Sequence, residues 1–209
     1  ATAVQQVIER FGRIDVLDNN AGIGSSGASE ESSVAQDQIV FDVNVFGLIR
    51  MTKAVLPHMR AQKSGRVINM SSVGGFAPQP FLASYVASKH AVEGYSESVD
   101  HEVREQGVRV LLIEPFNTST SFDASVVRAE NPLPVYERGR HTFEAILAEG
   151  MKTGTDPAVI AKVIVAAATD RKPKLRYPAG SGAGRVSMLR RLVPARIFDM
   201  QIRKINRMT

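Results

Sequence analysis

Apolar positions along this chain alternate between two spacings. In "AVQQVIERFG", Val4, Val7, Ile8 and Phe11 fall on one helix face, and Gly12 follows as a C-cap glycine would. "RIDVLDNNAG" gathers Ile14, Val16 and Leu17 into a short run broken by "NNAG", which predicts a strand ending in a turn. Residues 22–33, rich in Gly and Ser, predict a loop. Helical spacing returns in "SSVAQDQIVFDVNVFGLIRMTKAVLPHMRAQKSG", where Pro57 is expected to kink or divide the helix near its end. "GRVINMSS" predicts the next strand. A loop with Gly74, Gly75, Pro78 and Pro80 then leads into a helix that runs to about Gln106 and stops at Gly107.

"VRVLLIEP" is almost wholly apolar, as central parallel strands are. Beyond Pro115 the pattern weakens, and residues 116–141 predict a mobile loop with short helices. In "DPAVIAKVIVAAATD", Asp156 stands as N-cap and Pro157 at the first helical position. Its apolar stretch, interrupted by Lys162, reads as a buried helix and is too short to span a membrane. "KPKLRYP" predicts a last strand, and a basic, weakly amphipathic tail closes the chain. This alternation predicts an α/β fold, a parallel sheet covered by helices on both faces. Ligands in such sheets bind beyond the carboxyl ends of the strands. That edge receives "NNAG", "SS" and "EPFNTST", with the helix that begins "SYVASKH" beside them.

The 209 residues suit one domain, with 44% apolar and 22% charged side chains. The absence of cysteine excludes a disulfide scaffold, a thiol nucleophile and a thiolate metal site, and it fits a reducing cytoplasm. The net charge of +5 gathers late, in "RVSMLRRLVPARIFDMQIRKINRMT". Nucleic-acid binding is not expected, because nine Phe, four Tyr and no Trp form no aromatic stripe among the basic residues. The tail could lie on an anionic membrane surface, although a solvated helix face is the commoner cause of such a pattern. His58, His90, His101 and His141 show no metal-ligand spacing and read as surface residues, so no metal is expected.

Tyr85 and Lys89 are four residues apart and share a helix face. An ammonium there is expected to lower the phenol pKa, so that the tyrosine exchanges protons with an alcohol or alkoxide. Ser72, at a strand end on the same edge, could bond the oxygen that Tyr85 protonates. Asn44 is a poor helix former between apolar neighbours and needs partners: a backbone carbonyl, a water, or both. Asn19, Asn20, Ala21 and Gly22 offer small residues and backbone amides to a flat ligand. Each has a blander alternative: an exposed helix face, a strand terminus, a helix-bending contact and an ordinary turn.

Together these residues resemble the classical short-chain dehydrogenase/reductase family, from residue 1 to about residue 180. "NNAG" stands at Asn19–Gly22, the Asn, Ser, Tyr and Lys tetrad falls on Asn44, Ser72, Tyr85 and Lys89, and an altered "PG" motif stands at Pro115. The resemblance implies a Rossmann-type doubly wound sheet whose N-terminal strands are absent from this chain, and NAD or NADP as cofactor. Hydride would pass between nicotinamide and a carbonyl or secondary alcohol. Tyr85 would be the acid or base, Ser72 would polarise the carbonyl, Lys89 would also bind the nicotinamide ribose, and Asn44 would hold a relay water. Thr118 and Thr120 would contact the nicotinamide amide.

Residues 116–150 would form a substrate lid, and residues 181–209 a separate basic tail. Phe122, Val126, Val127, Leu133, Val135, Tyr136, Phe143 and Ile146, with Phe76 and Phe81, imply a lipophilic substrate such as a retinoid, steroid or long-chain alcohol, or else plain packing. The helices at 34–62 and 85–106 would pair in a homodimer or homotetramer. Three features depart from the family. Its glycine-rich phosphate loop is not found before "NNAG", Asp18 stands where an apolar strand residue is usual, and Phe116 replaces the glycine after Pro115. The first leaves open a truncated relative that is inactive or serves as a dimerising module.

Overall fold

The computed structural model describes residues 2–208, apart from the side chains of Thr2, Ser121 and Asp123. Helix α1 (Thr2–Phe11) precedes β1 (Val16–Asn19) and a short β2 (Gly24–Ser26). Then come α2 (Val34–Phe41), α3 (Leu48–Gln62), β3 (Gly65–Met70), α4 (Ala83–Val103) and β4 (Val108–Pro115). A short β5 (Val126–Arg128), α5 (Glu137–Lys152), α6 (Pro157–Thr169), β6 (Arg176–Ala179), α7 (Ala183–Leu192) and α8 (Ala195–Ile205) complete the order.

The main sheet runs β1-β3-β4-β6, all parallel. Side chains alternate across it, as the pleat requires. Val67 and Val110 point to one face, where Val4 of α1, Val55 and Met59 of α3 and Val99 of α4 pack on them. Ile68, Leu111 and Ile113 point to the other, under Ile160 and Ala167 of α6. Both faces are therefore covered, which explains why apolar residues on both sides of β3 and β4, Val67 with Ile68 and Val110–Ile113, are fully buried. A fully buried Val, Leu or Ile contributes about 1.5–3 kcal/mol, so these two strands carry much of the stability.

Several sequence expectations are corrected. Pro57 does not divide α3; it lies inside the helix on an exposed face, where the carbonyl that loses its partner can turn to solvent. The irregularity lies earlier, in a wide π turn over Asp42–Gly47 that carries Asn44. Residues 22–33 are not simply a loop, because β2 pairs in parallel with β5 and ties this segment to the region after Pro115. Helix α6 is not buried all round: Val159 and Val165 are 42% and 62% exposed. Asp18 lies on β1, the edge strand of this sheet, with its side chain exposed, and partial desolvation raises its carboxyl pKa. The basic tail takes the form of α7 and α8.

Gly107 turns the chain from α4 into β4 with φ +78°, and a Cβ there would sit 2.1 Å from Lys63 O. Both the left-handed backbone and the approach of a second backbone demand glycine. Gly107→Ala is expected to destabilise the protein by about 3 kcal/mol or more, read as a lower midpoint in urea unfolding.

Candidate active site

The site forms where β3 and the first turn of α4 meet at the carboxyl edge of the sheet. Helix α4 starts at Ala83 without a side-chain N-cap, so its first N–H groups need other partners. Ser25 Oγ of β2 accepts from Tyr85 N–H at 3.0 Å, which pins the turn that carries the tyrosine. Phe81, just before the helix, is held at φ +62° with its ring 5.8 Å from that of the buried Phe143. From the other side, the turn after β3 approaches α4 closely. Gly75 permits this, because a Cβ there would lie 2.5 Å from Ser71 Oγ and 2.9 Å from Glu93 Cγ.

Ser72 Oγ accepts from Gly74 N–H at 3.1 Å, and its hydroxyl acts on the neighbouring Tyr85 phenol to lower its pKa. With its lone pair turned to Gly74, the serine has its proton available for an oxygen beside Tyr85. Lys89 lies one helical turn on, buried, with Nζ 5.8 Å from the centre of the Tyr85 ring. It donates to Met70 O at 2.7 Å, the end of β3.

Asn44 is buried within the π turn. Its Oδ1 accepts from Ile23 N–H at 2.8 Å, and its Nδ2 donates to Ile23 O and to Ser88 Oγ, each at 2.9 Å. Ser88 Oγ donates in turn to Tyr85 O at 2.7 Å. The amide that made Asn44 a poor helix residue thus ties the segment after β1 to the turn of α4 that carries Tyr85. A Cβ on Gly22 would stand 3.3 Å from Asn44 Oδ1 and 3.6 Å from Lys89 Nζ, so Gly22 borders the same pocket of polar atoms.

The electrostatics reverse one expectation. Burial pushes the Tyr85 phenol above its ordinary value, and the Ser72 hydrogen bond offsets this only in part. The ammonium does not lower it, because Lys89 is itself pulled down to about 8 by burial, which the charge of Glu93 opposes. In a desolvated site the neutral form of each group gains, and here that effect exceeds the attraction between them.

Not every expected residue joins the group. Asn19 points elsewhere: Nδ2 donates to Asn69 Oδ1 at 2.8 Å and to Thr52 Oγ1 at 3.2 Å, which fastens β1 to β3 and α3. Asn20 and Ala21 are exposed on the turn. Pro115 ends β4 at the same sheet edge, paired with Ala179. Thr118 Oγ1 donates to Phe116 O at 2.9 Å, and Thr120 Oγ1 accepts from Phe122 N–H at 3.3 Å, so both hydroxyls bond their own loop. Phe116 is 37% exposed, and its ring lies beside Gly182, where a Cβ would meet Cδ1 at 3.5 Å.

Other contacts were not legible as site features. Phe122 stands edge-on to Tyr85 with ring centres 5.8 Å apart. The fully buried Glu31 accepts from Ala28 N–H and Leu133 N–H, each at 2.7 Å, and pairs with Arg140, which anchors the segment after β5 to the loop after β2. Behind Lys89, Arg176 bridges Glu93 at 3.0 Å and Glu114 at 3.4 Å. Burial and the neighbouring Glu93 push Glu114 up to about 7. Ser25, Ser88 and Glu31 were not legible, since the partners that join them to other elements, Tyr85, Asn44 and Arg140, lie far off in sequence.

Among the described residues no group of His, Asp and Glu could hold a metal ion, and no helix is long and apolar enough to cross a membrane. Comparison with known proteins adds identity to this geometry. Residues 1–131 match the short chain dehydrogenase family model. The chain is 39% identical over 178 residues to an uncharacterized oxidoreductase of Schizosaccharomyces pombe, covering 85% of this chain and 75% of the relative. The crystal structure of a short-chain dehydrogenase from Streptomyces avermitilis superposes with a TM-score of 0.82 at 34% identity, covering 99% of this chain and 74% of that one. A 3-ketoacyl-(acyl-carrier-protein) reductase from Brucella melitensis, complexed with NADH, shares the fold with a TM-score of 0.71 at 23% identity, over 87% of this chain and 72% of that one. Tyr85, Lys89 and Ser72 thus meet on a sheet whose relatives are oxidoreductases, and the chain belongs to the short chain dehydrogenase family.

Proposed function

We propose that this chain carries the catalytic end of an NAD(P)-dependent oxidoreductase that reduces a lipophilic carbonyl to an alcohol. The observation that carries the reading is the Tyr85 hydroxyl, held by Ser72 and backed by the buried ammonium of Lys89. The Brucella melitensis reductase, of the same fold, is complexed with NADH.

The residues present fit the nicotinamide end of such a cofactor. Lys89 has three N–H donors, and among the described residues it hydrogen-bonds only Met70 O, which leaves donors for ribose hydroxyls. Gly22 keeps a Cβ out of the space beside Lys89 and Asn44. The bound cofactor would supply the hydride. Ser72 donates to the carbonyl oxygen and polarises it, and Tyr85 gives its proton to the developing alkoxide. A phenol kept protonated by burial is suited to the acid role, which favours reduction. Lys89 stabilises the phenolate left behind. Asn44 holds Ile23 and Ser88 in place, and a relay water at its amide, contacts of Asn19, Asn20, Ala21 and Pro115 with the cofactor, and contacts of Thr118 and Thr120 with the nicotinamide amide belong to the same reading.

Residues 116–150 act as the lid in this proposal, with Phe122 against Tyr85 as its apolar contact with substrate. Phe143, by contrast, packs inward. Assembly as a homodimer or homotetramer through α2, α3 and α4, where Ile39 and Phe46 are about half exposed, completes the reading. A cytoplasmic location fits the cysteine-free composition.

The test is the oxidation of NADH and NADPH with a panel of long-chain and polycyclic ketones across pH. Because kcat/KM reports the free enzyme, it is expected to hold level below about pH 8 and to fall above it as Lys89 loses its proton. Absence of turnover with either nucleotide across the panel, or a rate indifferent to pH around 8, overturns the assignment.

A further inference from the structure

Helix α7 departs from an ordinary surface helix, which turns its apolar side inward. On α7, Ser187, Arg190 and Arg191 face the molecule, where they border a cavity of about 220 Å³ with Glu93, Glu114 and Arg176. Arg190 donates to Phe76 O at 3.0 Å and its guanidinium lies 5.1 Å from the centre of the Phe198 ring. The arginines thus hold α7 down onto the sheet edge and onto α8.

The outward side is apolar. Met188, Leu189 and Leu192 are 54%, 41% and 75% exposed, and with Arg185 they span an arc of about 100° on the helix. Helix α8 buries Phe198 and exposes Ile197 and Met200, 44% and 52%, on another face that also carries Lys204, while Ile205 at its end is 62% exposed. A surface helix normally buries such residues.

Charge identifies what this face suits. Residues 181–209 hold six Arg and one Lys against the single Asp199, a net +6, while residues 1–180, with 19 basic and 20 acidic side chains, carry −1. All of the positive excess of the chain lies in the segment that exposes these apolar side chains.

We propose that the α7–α8 hairpin is a peripheral docking face for an anionic lipid bilayer. Apolar side chains enter the boundary between headgroups and acyl chains, and Arg185 and Lys204, with long apolar stems, reach back to lipid phosphates. The alternative occupant, a second copy of the same face, is disfavoured. A two-fold contact sets the patch against itself and brings two +6 segments together. The hairpin lies at the β6 edge, opposite β1, and pairs with none of the helices assigned above to subunit assembly. The inference does not depend on the hydride chemistry.

The test is sedimentation of the protein with phosphatidylcholine vesicles containing about 30 mol% phosphatidylserine, beside vesicles of phosphatidylcholine alone. Binding to the anionic vesicles is expected to exceed binding to the neutral ones by about tenfold or more and to weaken in about 0.5 M salt. The double variant Leu189→Asp/Leu192→Asp is expected to lower partitioning by about tenfold or more. Arg185→Glu/Lys204→Glu is expected to act in the same direction. The altered side chains are exposed, so circular dichroism and the melting temperature should stay unchanged. No binding to anionic vesicles, or equal binding to both kinds, overturns the proposal. So does a lipid-free dimer in sedimentation equilibrium that Leu189→Asp/Leu192→Asp dissociates, since a second copy would then occupy the face.

Discussion

Tyr85→Phe is expected to lower carbonyl reduction by on the order of a thousandfold, within the range that a positioned general acid contributes. The substitution removes one oxygen. The ring keeps its edge contact with Phe122, the backbone N–H keeps Ser25 Oγ, and Ser72 keeps the bond from Gly74. The fold should therefore persist, with a melting temperature within about 2 °C of the parent. What disappears is the one acidic proton held between Ser72 and the Lys89 side of the pocket. Ser72 does not replace it, because an alkyl hydroxyl is a far weaker acid than a phenol. Nucleotide affinity by calorimetry should change little, since Lys89, and not the phenol, offers the spare donors. The loss should then appear in kcat, and retention of turnover within tenfold of the parent removes Tyr85 from the chemistry.

A large expected effect on stability lies away from the site, at Asp100 on α4. This side chain is fully buried. Its Oδ1 accepts from Arg109 Nε at 2.8 Å and from Val110 N–H at 2.9 Å, its Oδ2 accepts from Arg109 Nη2 at 3.2 Å, and Arg104 pairs with it as well. One carboxylate thus fastens the end of α4 to the start of β4. Asp100→Ala leaves Val110 N–H without an acceptor in the core and Arg109 without its partner, which should cost about 3 kcal/mol or more. For a domain of this size that lowers the melting temperature by roughly 6–12 °C. Burial opposes ionisation of Asp100, but the bonds from Arg109, Arg104 and Val110 outweigh it and hold the carboxyl below its ordinary range. A depressed folded pKa contributes stability above the unfolded value, near 3.9, and loses it as pH falls through the folded value. The gap between parent and variant in urea unfolding should therefore be constant from about pH 5 to 8 and shrink only below about pH 4. A gap that instead shrinks between pH 5 and 8 contradicts this account.

The two halves of the active site differed in how far they could be read from sequence. Tyr85 and Lys89 were legible because their relation is local: four residues on a helix meet whatever the rest of the chain does. Ser72 was legible as a strand end on a predictable edge. The contacts that hold these groups were not, because Ser25, Ser88 and Glu31 act through partners 44 to 109 residues away. The direction of the Tyr85 shift was not legible either. Spacing places the ammonium near the phenol, but only packing shows how little water reaches the pair.

The same division runs through the fold. Periodicity determined β1, β3, β4 and β6 and most helices, because a strand or helix several turns long repeats its apolar signal often enough to be read. It could not find β2 and β5, three residues each, whose pairing exists only once the segment after Pro115 folds back over the loop after β1. It expected Pro57 to kink or divide α3, which runs through it undivided, and it passed over the π turn that Asn44 occupies. Local interactions repeat along the chain and so leave a record in its order of residues. Burial, long-range pairing and the resulting proton affinities belong to the assembled interior, and the tertiary structure alone decides them.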